Sequence, residues 1–325
     1  EIHTINITHS PDELNQFPTV ADQEEYRYRL MTEFLDNSRG GLLKPLDGGI
    51  YKINYTMLED LRSARFGEHA CNLGALMAKG IADAQAENGF PCEALIADPV
   101  VVDELCPEAR YSGMPEIERK SIFHALNQKS VARTIAKELG KSYEDLNLIV
   151  SHMGGGISVG AHRKGRVIDV NNALDGDGPF SPERAGTIPA GQLVSLVFSD
   201  QFTYEELKRM LTGSGGMYGY CGLKDMREVE ERISSGNGQI KEAYGAMIYQ
   251  IAQEIAKHGA TLEGQVDAIV LTGGLAYSES LIEALKRKVS FLAPVYVIPG
   301  EREMYSLAKN ALEALNGIRA IKEYD

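Results

Sequence analysis

Cysteine, positive charge and long apolar runs are all scarce in this sequence. Its 325 residues include four cysteines, Cys71, Cys92, Cys106 and Cys221, with no CxxC pair among them. That argues against a disulfide framework or a zinc cage and fits a reducing compartment. Lysine and arginine number 33 against 46 aspartates and glutamates, so the formal net charge of −13 sets the field of the whole molecule against binding DNA or RNA. No apolar run approaches the roughly 18 residues of a membrane span, and the first residues have neither the basic start nor the apolar core of a signal peptide. The expectation is a cytoplasmic protein with no nucleic acid and no membrane as partner.

With 43% hydrophobic and 24% charged residues, the composition is that of an ordinary globular protein, long enough for two domains. "EIHTINITHS" alternates like a strand, and Ser10-Pro11 opens a helix. A helical period runs from Phe66 to Ala86, and "CEALIADPV" reads as a buried strand stopped by Pro99. "RKSIFHALNQKSVARTIAKELG" predicts one long amphipathic helix closed by Gly140. Then "LNLIVSH", "GISVGAH" and "RVIDVN" predict three short antiparallel strands, turning at a glycine cluster and at Lys164-Gly165. A polar glycine-rich loop follows, with helices near 189–198, 203–212 and 225–235 and a long one from about Gln239 to Leu262. The strand "VDAIVLTGG", a helix, the strand "PVYVIPG" and a last helix from Glu303 to about Asn316 complete an α/β layout with a mixed sheet.

Two strands end in glycine: "HMGGG" at 152–156 and "LTGG" at 271–274. Without a Cβ the backbone can approach a bound group, positive φ is available, and N–H groups at such turns hold phosphate. Tight turning alone is the plainer explanation for either cluster, but two clusters at matching strand ends favour a nucleotide. Neither fits a Walker or dinucleotide fingerprint. His152, beside the first cluster, is either a satisfied core histidine or a donor to a transferring phosphoryl group. His152 and His162 lack a third ligand for zinc, and the Asp175 and Asp177 loop lacks the closing glutamate of a calcium site.

"SHMGGGISVGAHRKGRVIDVNNALDGDGPFSPERAGTIP", "RKSIFHALNQK", "FGEHACNLGA" and "VLTGGLAYSE" together resemble the butyrate kinase family, a branch of the acetate kinase, sugar kinase, Hsp70 and actin superfamily. The resemblance covers essentially the whole chain. It implies two ribonuclease-H-like domains with mixed sheets and an interdomain cleft. The first spans 1–118 plus the C-terminal helix 303–325, and the second, nucleotide-binding domain spans 119–302. It further implies reversible transfer of the ATP γ-phosphoryl group to butyrate, giving ADP and an acyl phosphate, with Mg²⁺ and at least a homodimer.

By the family pattern Gly154, Gly155 and Gly156 line the phosphate turn, and Gly273 and Gly274 lie at the adenosine side. His152 stabilises the transferring phosphoryl, Asp98 stands near metal and substrate, and Arg184 is the cleft arginine. Glu303 is the glutamate near Mg²⁺, with Glu301 as its rival. In-line transfer to a carboxylate hardly needs a base, so positioning and charge neutralisation carry it. Arg39 is a candidate for the substrate carboxylate, whereas Arg119 is expected to be solvated or to cap a helix. The acid is open among butyrate, isobutyrate, propionate and acetate. An ATP-binding module of the actin and Hsp70 type without kinase activity is the competing class.

The sequence departs from the family in two places. A hydroxyl-rich loop of the form "NPGSTSTK" and its strand are absent before "EIHTINITHS", and residues are missing around Leu35 to Ser38. The expectation is a natural chain that carries more residues at both places; true loss of the loop would severely impair activity.

Overall fold

The computed structural model describes residues 16–24, 41–90 and 92–325. The expected first strand and helix, the region 35–38 and Arg39 lie outside the described residues. Along the chain run β1 (Ile50–Lys52), α1 (Tyr55–Arg62), α2 (Leu73–Glu87), β2 (Leu95–Ala97), β3 (Tyr111–Met114), β4 (Ile117–Glu118), α3 (Ala125–Glu138), β5 (Asn147–Met153), β6 (Ile157–Arg163) and β7 (Arg166–Val170). There follow α4 (Ala190–Val197), α5 (Tyr204–Thr212), α6 (Gly216–Cys221), α7 (Met226–Ser234), α8 (Gly238–Thr261), β8 (Ala268–Gly273), α9 (Glu279–Val289), β9 (Val295–Pro299), α10 (Glu303–Leu315) and β10 (Ile321–Lys322). No described helix is long and apolar enough to cross a membrane.

The chain forms two compact units. One holds the described residues up to Asp103 with Ala125–Asn127 and Arg302–Asp325, and the other holds Glu104–His124 and Gln128–Glu301.

The larger unit is built on a five-stranded mixed sheet in the order β7-β6-β5-β8-β9. β5, β6 and β7 form the expected antiparallel meander, while β8 and β9 add in parallel. Every residue of β5 and β8 is buried, as a central strand covered on both faces must be. Side chains alternate along β5. Ile149 and Met153 pack in a core with Met247, Ile251 and Ile255 of α8 and with Leu281 and Leu285 of α9. Leu148 and Val150 face the other way, against Val131 and Ile135 of α3. His152 shares that second face by alternation. Asn237 caps α8 by accepting the Ile240 N–H at 3.0 Å.

The smaller unit carries a three-stranded sheet, β10-β1-β2, with β1 parallel to β10 and antiparallel to β2. Asn54 caps α1 by accepting the Met57 N–H. Tyr324 is buried near the end of the chain and donates its hydroxyl to Asp60 Oδ2 at 2.7 Å. Burial, then this carboxylate, push its phenol pKa up.

Three sequence expectations change. The helix expected from Arg119 begins at Ala125. Arg119 neither caps a helix nor extends into solvent: it donates to the Ala109 and Val170 carbonyls and pairs with Asp169 at 3.0 Å. The helical period from Phe66 becomes helix only at Leu73, after Gly67 takes a left-handed φ of +126°. The helix α6 and the β3–β4 hairpin go beyond the elements expected, as do the short strands β1 and β10.

Candidate active site

Strand register gathers the site in the larger unit. β5 and β8 pair His152 with Thr272, and β8 and β9 pair Gly273 with Pro299. Three neighbouring parallel strands therefore end together, and their ends carry the glycines 154–156, Gly274 and Glu301. In open α/β sheets ligands bind beyond such carboxyl ends.

None of the three hairpin glycines has a left-handed φ. Their lack of a side chain serves close approach instead. A Cβ placed on Gly154 would stand 3.3 Å from His152 Nε2 and 3.7 Å from Glu301 Oε1, and one on Gly155 would stand 3.2 Å from Glu183 Oε1. A Cβ on Gly156 would collide with Arg184 Nη1, with Cζ only 2.8 Å away. The glycine hairpin is thus the floor under one histidine, two glutamates and one arginine.

The loop before α4 holds Arg184 there. Ser181 Oγ donates to the Gly155 carbonyl and accepts the Arg184 backbone N–H at 3.0 Å. The guanidinium donates through Nη1 to the Ala173 carbonyl. Its Nε is buried and finds no hydrogen-bond partner among the described residues, an unsatisfied donor of the kind a bound anion satisfies. Burial lowers the Arg184 pKa and neighbouring Glu183 opposes that shift. Glu183 in turn pairs with Lys224 at 3.0 Å.

His152 is wholly buried. Its ring stacks on that of His124, with centroids 3.8 Å apart and planes 11° from parallel. Sequence reading passed over His124, which stood inside an expected helix; only the turn before Ala125 brings it beneath β5.

Gly273 uses both glycine properties. Its φ is +89°, and a Cβ would meet the Met153 backbone, 2.7 Å from the carbonyl carbon. It lets the end of β8 press against the end of β5. A Cβ on Gly274 would have no atom of the described residues within 4 Å, so that turn is open.

Asp98 and Glu303 belong to the smaller unit. Asp98 follows β2 with a φ of +40°; its Oδ1 accepts the Gly49 N–H at 2.8 Å and lies 3.6 Å from Arg319. Glu303 opens α10. The expected rival, Glu301, is the glutamate at the glycine hairpin. No cluster of three or more histidines, cysteines or acidic residues is placed to hold a metal among the described residues. Mg²⁺ keeps several waters and takes one or two carboxylates together with substrate phosphates, a demand that the single Glu301 carboxylate fits.

The acetokinase family model matches residues 113–294, the stretch that includes the meander, both histidines, Arg184 and the second glycine turn. The chain belongs to the acetokinase family. Acetokinases are ATP-dependent kinases of short-chain carboxylates, so the coarse activity expected from the sequence holds, and the butyrate branch is a narrower matter. Among solved structures the chain resembles acetate kinase from Porphyromonas gingivalis, at 19% identity over 83% of this chain and 75% of that one, with a TM-score of 0.71. It is similar also to a propionate kinase from Francisella tularensis subsp. tularensis, at 20% identity over 89% and 83%, TM-score 0.69. A third is acetate kinase from Entamoeba histolytica, at 17% over 90% and 86%, TM-score 0.68. These likenesses establish the α/β fold with mixed sheets shared with the actin-like ATPases.

Proposed function

We infer that this acetokinase phosphorylates a short-chain carboxylic acid, with butyrate the first choice because the long motifs around the glycine hairpin resemble the butyrate kinases. The observation that carries the reading is the convergence of His152, Arg184 and Glu301 on glycines 154–156, at the strand end beside Gly273 and Gly274.

The reaction is an in-line displacement. A carboxylate oxygen bonds to the γ-phosphorus as the bond to the ADP oxygen breaks, leaving an acyl phosphate and ADP. No proton need be removed from the acid, so the residues act by position and charge. The hairpin lets phosphate lie against bare backbone, and the buried Nε of Arg184 meets one of its oxygens. His152 donates to the phosphoryl group as charge spreads over its oxygens. Gly273 and Gly274 leave room for the nucleoside. Mg²⁺, held by Glu301 and with Glu303 as the alternative, would neutralise the nucleotide phosphates. Asp98 is assigned near metal and substrate by resemblance, Arg39 before its Gly pair is the candidate for the substrate carboxylate, and the working unit is a homodimer or a larger homo-oligomer.

The choice of acid is tested by trapping acyl phosphate with hydroxylamine in the presence of ATP and Mg²⁺, using acetate, propionate, butyrate and isobutyrate in turn. Butyrate is expected to give the highest kcat/KM. One methylene in an apolar pocket is worth only about 1–3 kcal/mol, so propionate should follow within roughly a hundredfold. A ranking led by acetate would overturn the butyrate assignment while leaving the kinase intact.

A further inference from the structure

A chain of buried polar groups runs from the middle of the larger unit to the stacked histidines. Tyr143, His162, Gln128 and Ser158 are each at most 4% exposed, far too buried for their polar atoms to be left to solvent. Tyr143 Oη lies 2.7 Å from His162 Nδ1, and His162 Nε2 lies 3.0 Å from Gln128 Oε1. Gln128 Nε2 reaches the Ser158 carbonyl at 3.0 Å and Ser158 Oγ at 2.8 Å; Ser158 Oγ lies 2.8 Å from His124 Nδ1.

Donor and acceptor counting gives this chain one direction. The Ser158 carbonyl only accepts, so the Gln128 atom beside it is the NH₂ group, and Gln128 Oε1 therefore faces His162. An amide oxygen only accepts, which puts the His162 hydrogen on Nε2 and leaves Nδ1 to accept from Tyr143. Burial lowers the His162 pKa well below its usual range, with Lys129 adding in the same sense, consistent with this neutral ring. The two Gln128 hydrogens go to the Ser158 carbonyl and Oγ. The Ser158 hydroxyl already accepts from Gln128 and, weakly at 3.5 Å, from the His124 backbone N–H. Its own hydrogen is left for His124 Nδ1.

We propose that Gln128 and Ser158, fixed in turn by His162 and Tyr143, are positioning residues that hold His124 as the neutral tautomer with its hydrogen on Nε2. The proposal rests on the kinase reading for its use, since a neutral His124 stacked at 3.8 Å sets no like charge against His152 while that ring faces phosphate. None of these four residues touches substrate. They act through the ring of His124.

The test is ¹⁵N-histidine NMR of the whole chain, with His124 assigned by its loss in His124→Asn, alongside steady-state kinetics. In the unaltered protein His124 is expected to show a bare, accepting Nδ1 and a protonated Nε2. Gln128→Glu presents an acceptor to Ser158 and turns its hydroxyl round, so the His124 hydrogen should move to Nδ1. In that variant kcat is expected to fall about ten- to a hundredfold, the usual scale for outer-shell partners, with KM for ATP within about twofold. Ser158→Ala removes the link with little change of volume, and should give mixed tautomers and an intermediate kcat. A protonated Nδ1 in the unaltered protein overturns the proposal by itself, even if Gln128→Glu fails to fold. So does an unmoved His124 pattern in the variants. The spectra need no turnover, so absence of kinase activity would strike the functional reading and leave the tautomer result standing.

Discussion

The meander in the larger unit turns twice, at glycines 154–156 and at Lys164 with Gly165, and the two turns use glycine differently. At the second, Lys164 and Gly165 have φ of +51° and +83°, the pattern of a two-residue turn matched to the twist of the strands it joins. The Lys164 N–H ties the turn to the Leu146 carbonyl, just before β5, at 3.0 Å. There glycine supplies a left-handed backbone conformation, and the nearest side chain to its missing Cβ is Glu144, through Cγ at 3.1 Å. At the first turn no glycine has a left-handed φ, and each omitted Cβ makes room for a polar side chain of the site. The turn proposed to hold phosphate is thus the one whose glycines carry no φ strain and are crowded by charged or polar groups.

The largest expected effect falls at the first turn. His152→Ala should lower kcat by about a hundred- to a thousandfold, as loss of a donor to developing charge does, with KM for ATP nearly unchanged in steady-state assays. Gly156→Ala comes next. Its methyl group displaces Arg184, and misplacement by about 1 Å can cost on the order of a hundredfold in rate. In a double-mutant cycle it should add nothing to Arg184→Ala; full additivity would mean that Gly156 serves some other purpose.

The other end of the β5–β6 ladder should answer in stability. An unfolded His162 takes up a proton as pH falls through about 6.5, while the folded ring resists until far lower pH. Stability should therefore fall as pH drops below 6.5, by up to about 1.4 kcal/mol per pH unit for one such ring. Buried His258, also lowered by burial and then by Lys257, adds in the same sense. Denaturant melts at pH 7.5 and 5.0 check this, and His162→Gln should flatten the slope. Smallest is Gly165→Ala, which forces a left-handed alanine against Glu144 Cγ at 3.1 Å. It should cost roughly 1–2 kcal/mol and leave kcat unchanged. A loss of activity there would erase the contrast between the turns.

Much of this was legible in the sequence because it rests on local pattern. The meander strands alternate or run wholly apolar between strong turn signals, and the glycine clusters sit at their ends. The β3–β4 hairpin was not legible, since all of its strand residues are exposed and no apolar face betrays it. β1 and β10 are too short to show a period, and their pairing joins residues about 270 positions apart. Arg119 looked like a surface residue because its partner Asp169 lies 50 residues on. His124 was hidden for the same reason: stacking between a pre-helix residue and a strand end is set by tertiary packing alone. Glu301 and Glu303 could not be separated by spacing, whereas strand register puts Glu301 beside the hairpin.

The most direct measurement follows ³¹P NMR signals during incubation of the full chain with ATP, Mg²⁺ and butyrate. The account predicts that ADP and an acyl phosphate appear together in equal amounts, and that both signals vanish in His152→Ala on the same timescale. ADP accompanied only by inorganic phosphate, with no acyl phosphate from any short-chain acid, would contradict it and mark the chain as an ATP-hydrolysing module.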